Sequence, residues 1–244
     1  MPLDLEKVRT HFPGRAIHWH ATIPSTMPEA AALADRGAAS GTVIGADEQT
    51  AGHGRYNRTW HSEKDAGLYQ SVILRLPLAA PTMPVVTLAL GLATAQAIQR
   101  VSGNACDLRW PNDVLIGGRK SAGILVQLHG AAIVAGIGIN LSERAFPPEI
   151  ADIATSVGPV NREDLLIALL EDIDTHCDIL VKQGVDAILK MFAQASSFVV
   201  NRKVIVDEQI IGATVGLTAD GFLRLRMDDG RERIIHAGGV RPLH

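Results

Sequence analysis

Apolar residues recur at positions 85, 88, 92, 95, 98 and 101 with alanine and glutamine between them, the spacing of a helix with one buried face. Gly91 inside that run points to close packing on a neighbour. Residues 163–183 repeat the pattern, with Asn161 placed to cap the start and Gly184 just past the end, and a further helix should reach about residue 196. A short helix is expected near the N-terminus. Another spans residues 29–36, an Ala-rich stretch preceded by Ser25-Thr26 and closed by Gly37, where simple capping and ligand binding at a helix N-terminus weigh equally. Strand patterns occupy 42–46, 68–74, 120–128 and 131–140, with 16–20 as a candidate edge strand. Pro111 forbids a regular strand through 110–112 and puts Asn112 and Asp113 at a bend, while Gly117-Gly118 makes a tight hairpin turn. From residue 197 the texture changes to short strands at 203–206, 210–217, 222–227 and 231–235, with Leu223, Leu225 and Met227 facing in. This predicts an α+β chain: a mixed or antiparallel sheet with helices on one side over residues 1–196, then a small β-barrel over 197–244.

Hydrophobic residues make up 47% of the 244 and charged residues 20%, enough for a packed core. A net charge of −3 gives no footprint for bulk nucleic-acid binding. Cys106 and Cys177 are too few and too far apart for a zinc site or a disulfide framework, and read as small buried hydrophobes. His18 and His20 share one face of a strand without a third ligand at usable spacing. The charged N-terminus is unlike a signal peptide, and no apolar run approaches the ~20 residues of a membrane span. A cytoplasmic protein is expected.

The chemistry concentrates in the connection after residue 46. Gly45, Gly52, Gly54 and Gly67 let the backbone approach a ligand, Arg55 and Arg58 supply forked donors, and Trp60 offers a flat face. This stretch is predicted to close over a ligand and to order upon it. It is not a dinucleotide fingerprint, since Asn57 stands where the third glycine belongs. Gly118-Arg119-Lys120-Ser121 is not a phosphate loop, since Val114 stands where that motif starts with glycine. Arg55, Arg58, Trp60, Asn112, Asp113 and Lys120 together suit an anionic nucleophile attacking a nucleoside triphosphate.

These residues also resemble those of the biotin–protein ligases. Gly52, Gly54, Arg55, Arg58 and Trp60 are similar to that family's Gly-Arg-Gly-Arg-x-x-Arg-x-Trp loop; Arg109-Trp110-Pro111-Asn112-Asp113 to its Lys-Trp-Pro-Asn-Asp; Lys120-Ser121-Ala122-Gly123-Ile124-Leu125 to its Lys-x-Ala-Gly-Ile-Leu; and Gly136-Ile137-Gly138-Ile139-Asn140 to its glycine-and-asparagine strand. The resemblance implies a core akin to class II aminoacyl-tRNA synthetases followed by an SH3-like barrel. It also implies formation of biotinyl-AMP from biotin and ATP with Mg²⁺, then transfer to a lysine of a biotin carboxyl carrier protein. It assigns Lys120 and Arg55 to catalysis. Biotin falls to Ser25, Thr26, Gln49, Gly52, His53, Gly54, Arg55, Lys120 and Gly123; ATP to Arg55, Arg58, Trp60, Asn112, Lys120 and Asn140; and Mg²⁺ to Asp113. The chain departs from the family at His53, where arginine is usual, and at Met27, where asparagine is usual, which bears on affinity more than on reaction type. With the chain starting directly at that core, no helix-turn-helix, sequence-specific DNA partner or membrane is expected; the protein would be a monomer or homodimer. The alternatives are a lipoate or octanoate ligase or transferase on a related core, and a non-catalytic SH3-like interaction protein.

Overall fold

Asp4 starts the first helix by accepting hydrogen bonds from the amides of Glu6 and Lys7, which gives α1 (Leu5–His11). The chain then runs through β1 (Ile17–His20), α2 (Thr26–Asp35), β2 (Val43–Ala46), a 3₁₀ turn at Arg55–Asn57, and β3 (Gly67–Leu74). It continues with α3 (Met83–Ser102), β4 (Asp107–Arg109), β5 (Asp113–Ile116), β6 (Arg119–His129), β7 (Ala132–Asn140), α4 (Arg162–Gln183) and α5 (Val185–Ala195). Five short strands close it: β8 (Val200–Val206), β9 (Ile210–Leu217), β10 (Leu223–Arg226), β11 (Glu232–Ile235) and β12 (Val240–Pro242). This computed structural model describes residues 3–78, 82–143 and 146–243.

The first seven strands form one sheet in the order β1-β2-β3-β7-β6-β5-β4, parallel only between β1 and β2. The last five form an antiparallel sheet in the order β11-β10-β9-β8-β12. Period-2 alternation sorts the two faces of the large sheet. Leu68, Val72 and Leu74 of β3 and Ala135, Ile137 and Ile139 of β7 join the main core, which includes α3, α4 and the inner residues of the small sheet. On the opposite face, Ile44, Ile73 and Val134 pack under α2, against Met27, Ala30, Ala31 and Ala34. The rest of that face is free to build a site. α3 is long and apolar enough to cross a membrane by composition, but most of that stretch is buried against α4, α5 and the sheet.

Several boundaries differ from the sequence reading. α2 begins at Thr26 rather than 29, and Ser25 stands at its N-cap position without a side-chain capping bond. The turn after β4 spans only residues 110–112, across a cis Trp110–Pro111 bond, so Asp113 heads β5 instead of lying in the bend. There it pairs across the hairpin with Arg109 in both backbone register and side-chain charge. β12 was not legible as a strand at all. Gly117 and Gly118 both take positive φ, 57° and 79°, as the two-residue turn between β5 and β6 demands. His18 is exposed, His20 bonds Glu29, and no metal-binding cluster occurs among the described residues.

The α3–α4 interface encloses Asp172, which accepts a hydrogen bond from Gln96 and lies 3.6 Å from Arg100. Burial raises its pKa, and Arg100 only partly offsets that. A carboxyl whose folded pKa is raised contributes stability in acid and loses it as pH rises through the folded pKa. Asp172→Asn is therefore expected to raise stability by about 1 kcal/mol at neutral pH and by much less in acid. Thermal melts at about pH 4 and about pH 7.5 check it.

Candidate active site

Two facing strands lack side chains where the site needs room. Gly123 of β6 lies directly opposite Gly138 of β7, and Gly136 follows one pair along on the same face. A Cβ built on Gly138 would sit 2.4 Å from the Trp60 ring, and one on Gly123 2.9 Å from it. The indole therefore lies flat on a glycine floor. Its Nε1 is buried there with no hydrogen-bond partner among the described residues.

Lys120 reaches the same floor because of a bulge. Ala122 and Ile124 face the main core, so strict alternation would turn Lys120 inward with them. The β5–β6 register shifts between Val114 and Leu115, Ser121 turns its hydroxyl onto the Val114 carbonyl, and Lys120 swings to the open face. Its Nζ lies 5.2 Å from the Trp60 ring centroid and 2.6 Å from Asp113 Oδ1. The other oxygen of Asp113 accepts from Arg109, at 2.7 Å from Nη2 and 3.2 Å from Nε. Burial alone would raise the Asp113 pKa; the charges and hydrogen bonds of Lys120 and Arg109 reverse that and hold it below the usual range.

The loop over this floor is a narrow ribbon. Gln49 N donates to Ser62 O, Trp60 N to Gly52 O and Gly54 N to Arg58 O, while His53 bridges Thr59. At the tip, Tyr56 holds φ 57°, a left-handed conformation rare for a bulky residue. Arg55 stacks over its ring, donates to its hydroxyl at 3.0 Å, and reaches Asn112 Oδ1 at 3.1 Å. Asn112 is fixed in turn by exchanging hydrogen bonds with Ile124.

The cavity enclosed has a volume of about 550 Å³, within the usual range for small-ligand sites. Ser25, Thr26, Gln49, His53, Gly54, Arg55, Arg58, Trp60, Asn112, Asp113, Lys120, Gly123 and Asn140 all line it. Gly52 does not. A Cβ there would press on the Trp60 carbonyl and on Ser62 Oγ, so this glycine lets the two sides of the ribbon meet. Three other residues carry work the sequence did not suggest. Gln49 Oε1 accepts from both the backbone and the hydroxyl of Thr26, which caps α2 in place of Ser25. Thr26 Oγ1 also meets Ser71 Oγ at 2.8 Å. Asn140 spends its amide nitrogen on the carbonyls of Thr155 and Lys120, bracing the backbone that carries the lysine. With Lys120 in this position, Asp113 has both oxygens engaged by cations and neither free for a metal.

Part of the wall carries no sequence motif. Ile150, Asp152 and Ile153 line one side, held where the Lys120 amide donates to the Ile153 carbonyl. Gly238 and Gly239, just before β12, and Arg241 within it line another. The Gly238-Gly239 pair was the available signal, since adjacent glycines mark close backbone approach. Arg109 opens the Arg109–Asp113 motif without a role of its own in the sequence; its hairpin register with Asp113 gives it a partner.

The family model described as "Biotin/lipoate A/B protein ligase family" matches residues 20–142. The bifunctional ligase/repressor BirA of Bacillus subtilis is 30% identical over 244 residues, covering 94% of this chain and 75% of that protein. The biotin--[acetyl-CoA-carboxylase] ligase of Mycobacterium tuberculosis is 29% identical, covering 98% of this chain and 95% of its own length. Among solved structures, the biotin protein ligase of Aquifex aeolicus in complex with biotin and ATP superposes with a TM-score of 0.83 at 26% identity, covering 93% of this chain and 99% of that one.

Proposed function

The chain belongs to the biotin/lipoate A/B protein ligase family, and we propose that it is an ATP-dependent biotin–protein ligase acting on the carrier of an acetyl-CoA carboxylase. The observation that carries this reading is the Lys120 ammonium on a floor of paired glycines, under the Trp60 indole and open to a cavity edged by Arg55. A carboxylate and a triphosphate repel one another, and a cation between them is what lets them meet.

In the first half-reaction a biotin carboxylate oxygen forms a bond to the α-phosphorus of ATP as the bond to the β-phosphate oxygen breaks, and pyrophosphate leaves. Lys120 leaves Asp113 for the incoming anions, and Asp113 keeps Arg109 as its counter-ion. Arg55 and the exposed Arg58 meet the phosphates, Trp60 covers the nucleotide, and Asn112 holds Arg55 in place. The wall of Ser25, Thr26, Gln49 and the loop backbone at Gly54 takes biotin. In the second half-reaction a neutral lysine amine of the carrier attacks the acyl carbon of the mixed anhydride, loses its proton, and AMP departs. Mg²⁺ enters as the counter-ion of ATP, and no step is assigned to a protein-held metal. A cytoplasmic setting suits the two free thiols, which burial pushes up to about 11 at Cys106 and about 12 at Cys177.

The test is ATP–pyrophosphate exchange supported by biotin against exchange supported by lipoate. Exchange with lipoate alone would move the chain to the lipoate branch of its family. A finer check separates the two neighbours at the loop start. His53 is exposed and takes part through its backbone, so His53→Ala should change biotin affinity by no more than about 1 kcal/mol. Arg55→Ala removes a guanidinium that meets charge, and should cost about 1.5 kcal/mol or more. Titration calorimetry of both variants decides. Equal losses would contradict the backbone account of position 53.

A further inference from the structure

The ribbon that covers the cavity has a neck, and a buried cation ties it. Asp47 directly follows β2 and Asp65 stands two residues before β3, so the two flank residues 48–64, and Asp65 N donates to Asp47 O. Arg162, the first residue of α4, reaches both. Its Nη2 lies 2.9 Å from Asp47 Oδ1 and its Nη1 3.0 Å from Asp65 Oδ1. Trp19 Nε1 donates to the same Asp47 oxygen at 3.1 Å. The arginine side chain is 9% exposed, and Asp65 remains 42% exposed. An arginine is out of place on electrostatic grounds at this position, because a helix N-terminus favours anions. The next two residues, Glu163 and Asp164, follow the usual preference and Arg162 does not. The two carboxylates at the loop's feet supply the reason.

We infer that Arg162 is a positioning residue for the ligase reaction: by holding Asp47 and Asp65 together it fixes the neck of residues 48–64, and so the reach of Arg55 and Trp60 into the cavity. This rests on the reading that the loop closes over biotin and nucleotide. A loosened neck widens the swing of the ribbon without removing any group that touches substrate. Its cost therefore falls on closure, and appears in KM more than in kcat.

Three full-length variants test this: Asp65→Asn, which drops one charge at a half-exposed position and spares the fold, Arg162→Gln, and Arg162→Lys. Two quantities are read: the rate of tryptic cleavage after Arg55 and Arg58 without ligands, and the KM and kcat of biotin-dependent pyrophosphate exchange. One partly exposed ion pair shifts an opening equilibrium by about fivefold. Asp65→Asn should accordingly be cut about fivefold faster and show KM values raised by a similar factor with kcat nearly unchanged. Arg162→Gln should exceed it, and Arg162→Lys should fall between Arg162→Gln and wild type. Wild-type cleavage and KM in Asp65→Asn, or a loss confined to kcat, overturns the inference. If Arg162→Gln does not fold, Asp65→Asn and Arg162→Lys still decide. If the wild-type protein shows no biotin-dependent exchange, the ligase reading fails instead, and cleavage rates alone then uphold or reject the clamp.

Discussion

Lys120→Ala is expected to lower biotin-dependent pyrophosphate exchange by two orders of magnitude or more while leaving the melting temperature near that of the wild type. The size follows from where charge gathers. Removing one preorganised cation from a point where anions meet commonly costs ~3 kcal/mol in the transition state. The spared fold follows from the geometry of Asp113. Its Oδ1 faces Lys120 and its Oδ2 faces Arg109, so loss of the lysine leaves a buried carboxylate that still has a guanidinium. That is unlike breaking a lone buried pair, where a stranded charge costs several kcal/mol. Transfer from preformed biotinyl-AMP should suffer less than activation, since the anhydride already exists. Exchange near the wild-type rate, or an exchange defect matched by unfolding, would remove Lys120 from the chemistry.

Helices α3 and α4, strand β9 and the Gly117-Gly118 turn were legible because each is set by contacts within a few residues: a 3.6-residue apolar period, a cap at Asn161, a pair of glycines. Much of the cavity lining was legible for a different reason, since those residues fall in four short motifs. Their order along the chain says little about how they act. Nothing local reveals that a bulge at Ser121 turns Lys120 away from the core, because the cue is a register shift against β5. Gln49 reads as a ligand contact, yet it caps a helix that begins over twenty residues earlier. Arg162 reads as a first-turn residue of an amphipathic helix; its partners lie about a hundred residues upstream. Long-range polar pairings leave no periodicity, so sequence patterns miss them even where they control a site.

Gly138→Val should weaken nucleotide binding by roughly a hundredfold, ~3 kcal/mol at the upper end of what overpacking a close contact costs, without destabilising the protein. The backbone at 138 lies within β7, paired with strands on both sides, where valine is favoured over glycine. Strain from the backbone is therefore absent, and the effect must come from what the new side chain meets. A Cβ alone would stand 2.4 Å from Cε2, 2.5 Å from Nε1 and 2.7 Å from Cζ2 of Trp60. No rotation of a flat ring clears three atoms at once, so the indole has to leave the floor and the ribbon has to lift with it. Gly136 supplies the contrast on the same strand and the same face. A Cβ there would meet Met27 Sδ at 2.7 Å, but a thioether on three rotatable bonds moves aside cheaply. Gly136→Ala should therefore be mild where Gly138→Val is severe. The measurements are the KM for ATP in pyrophosphate exchange, the melting temperature, and tryptophan emission, which shifts to the red if an indole is released to water. A severe loss at Gly136→Ala of the same size, or a Gly138→Val enzyme with normal affinity for ATP, would mean that the glycine floor is not where Trp60 closes the site.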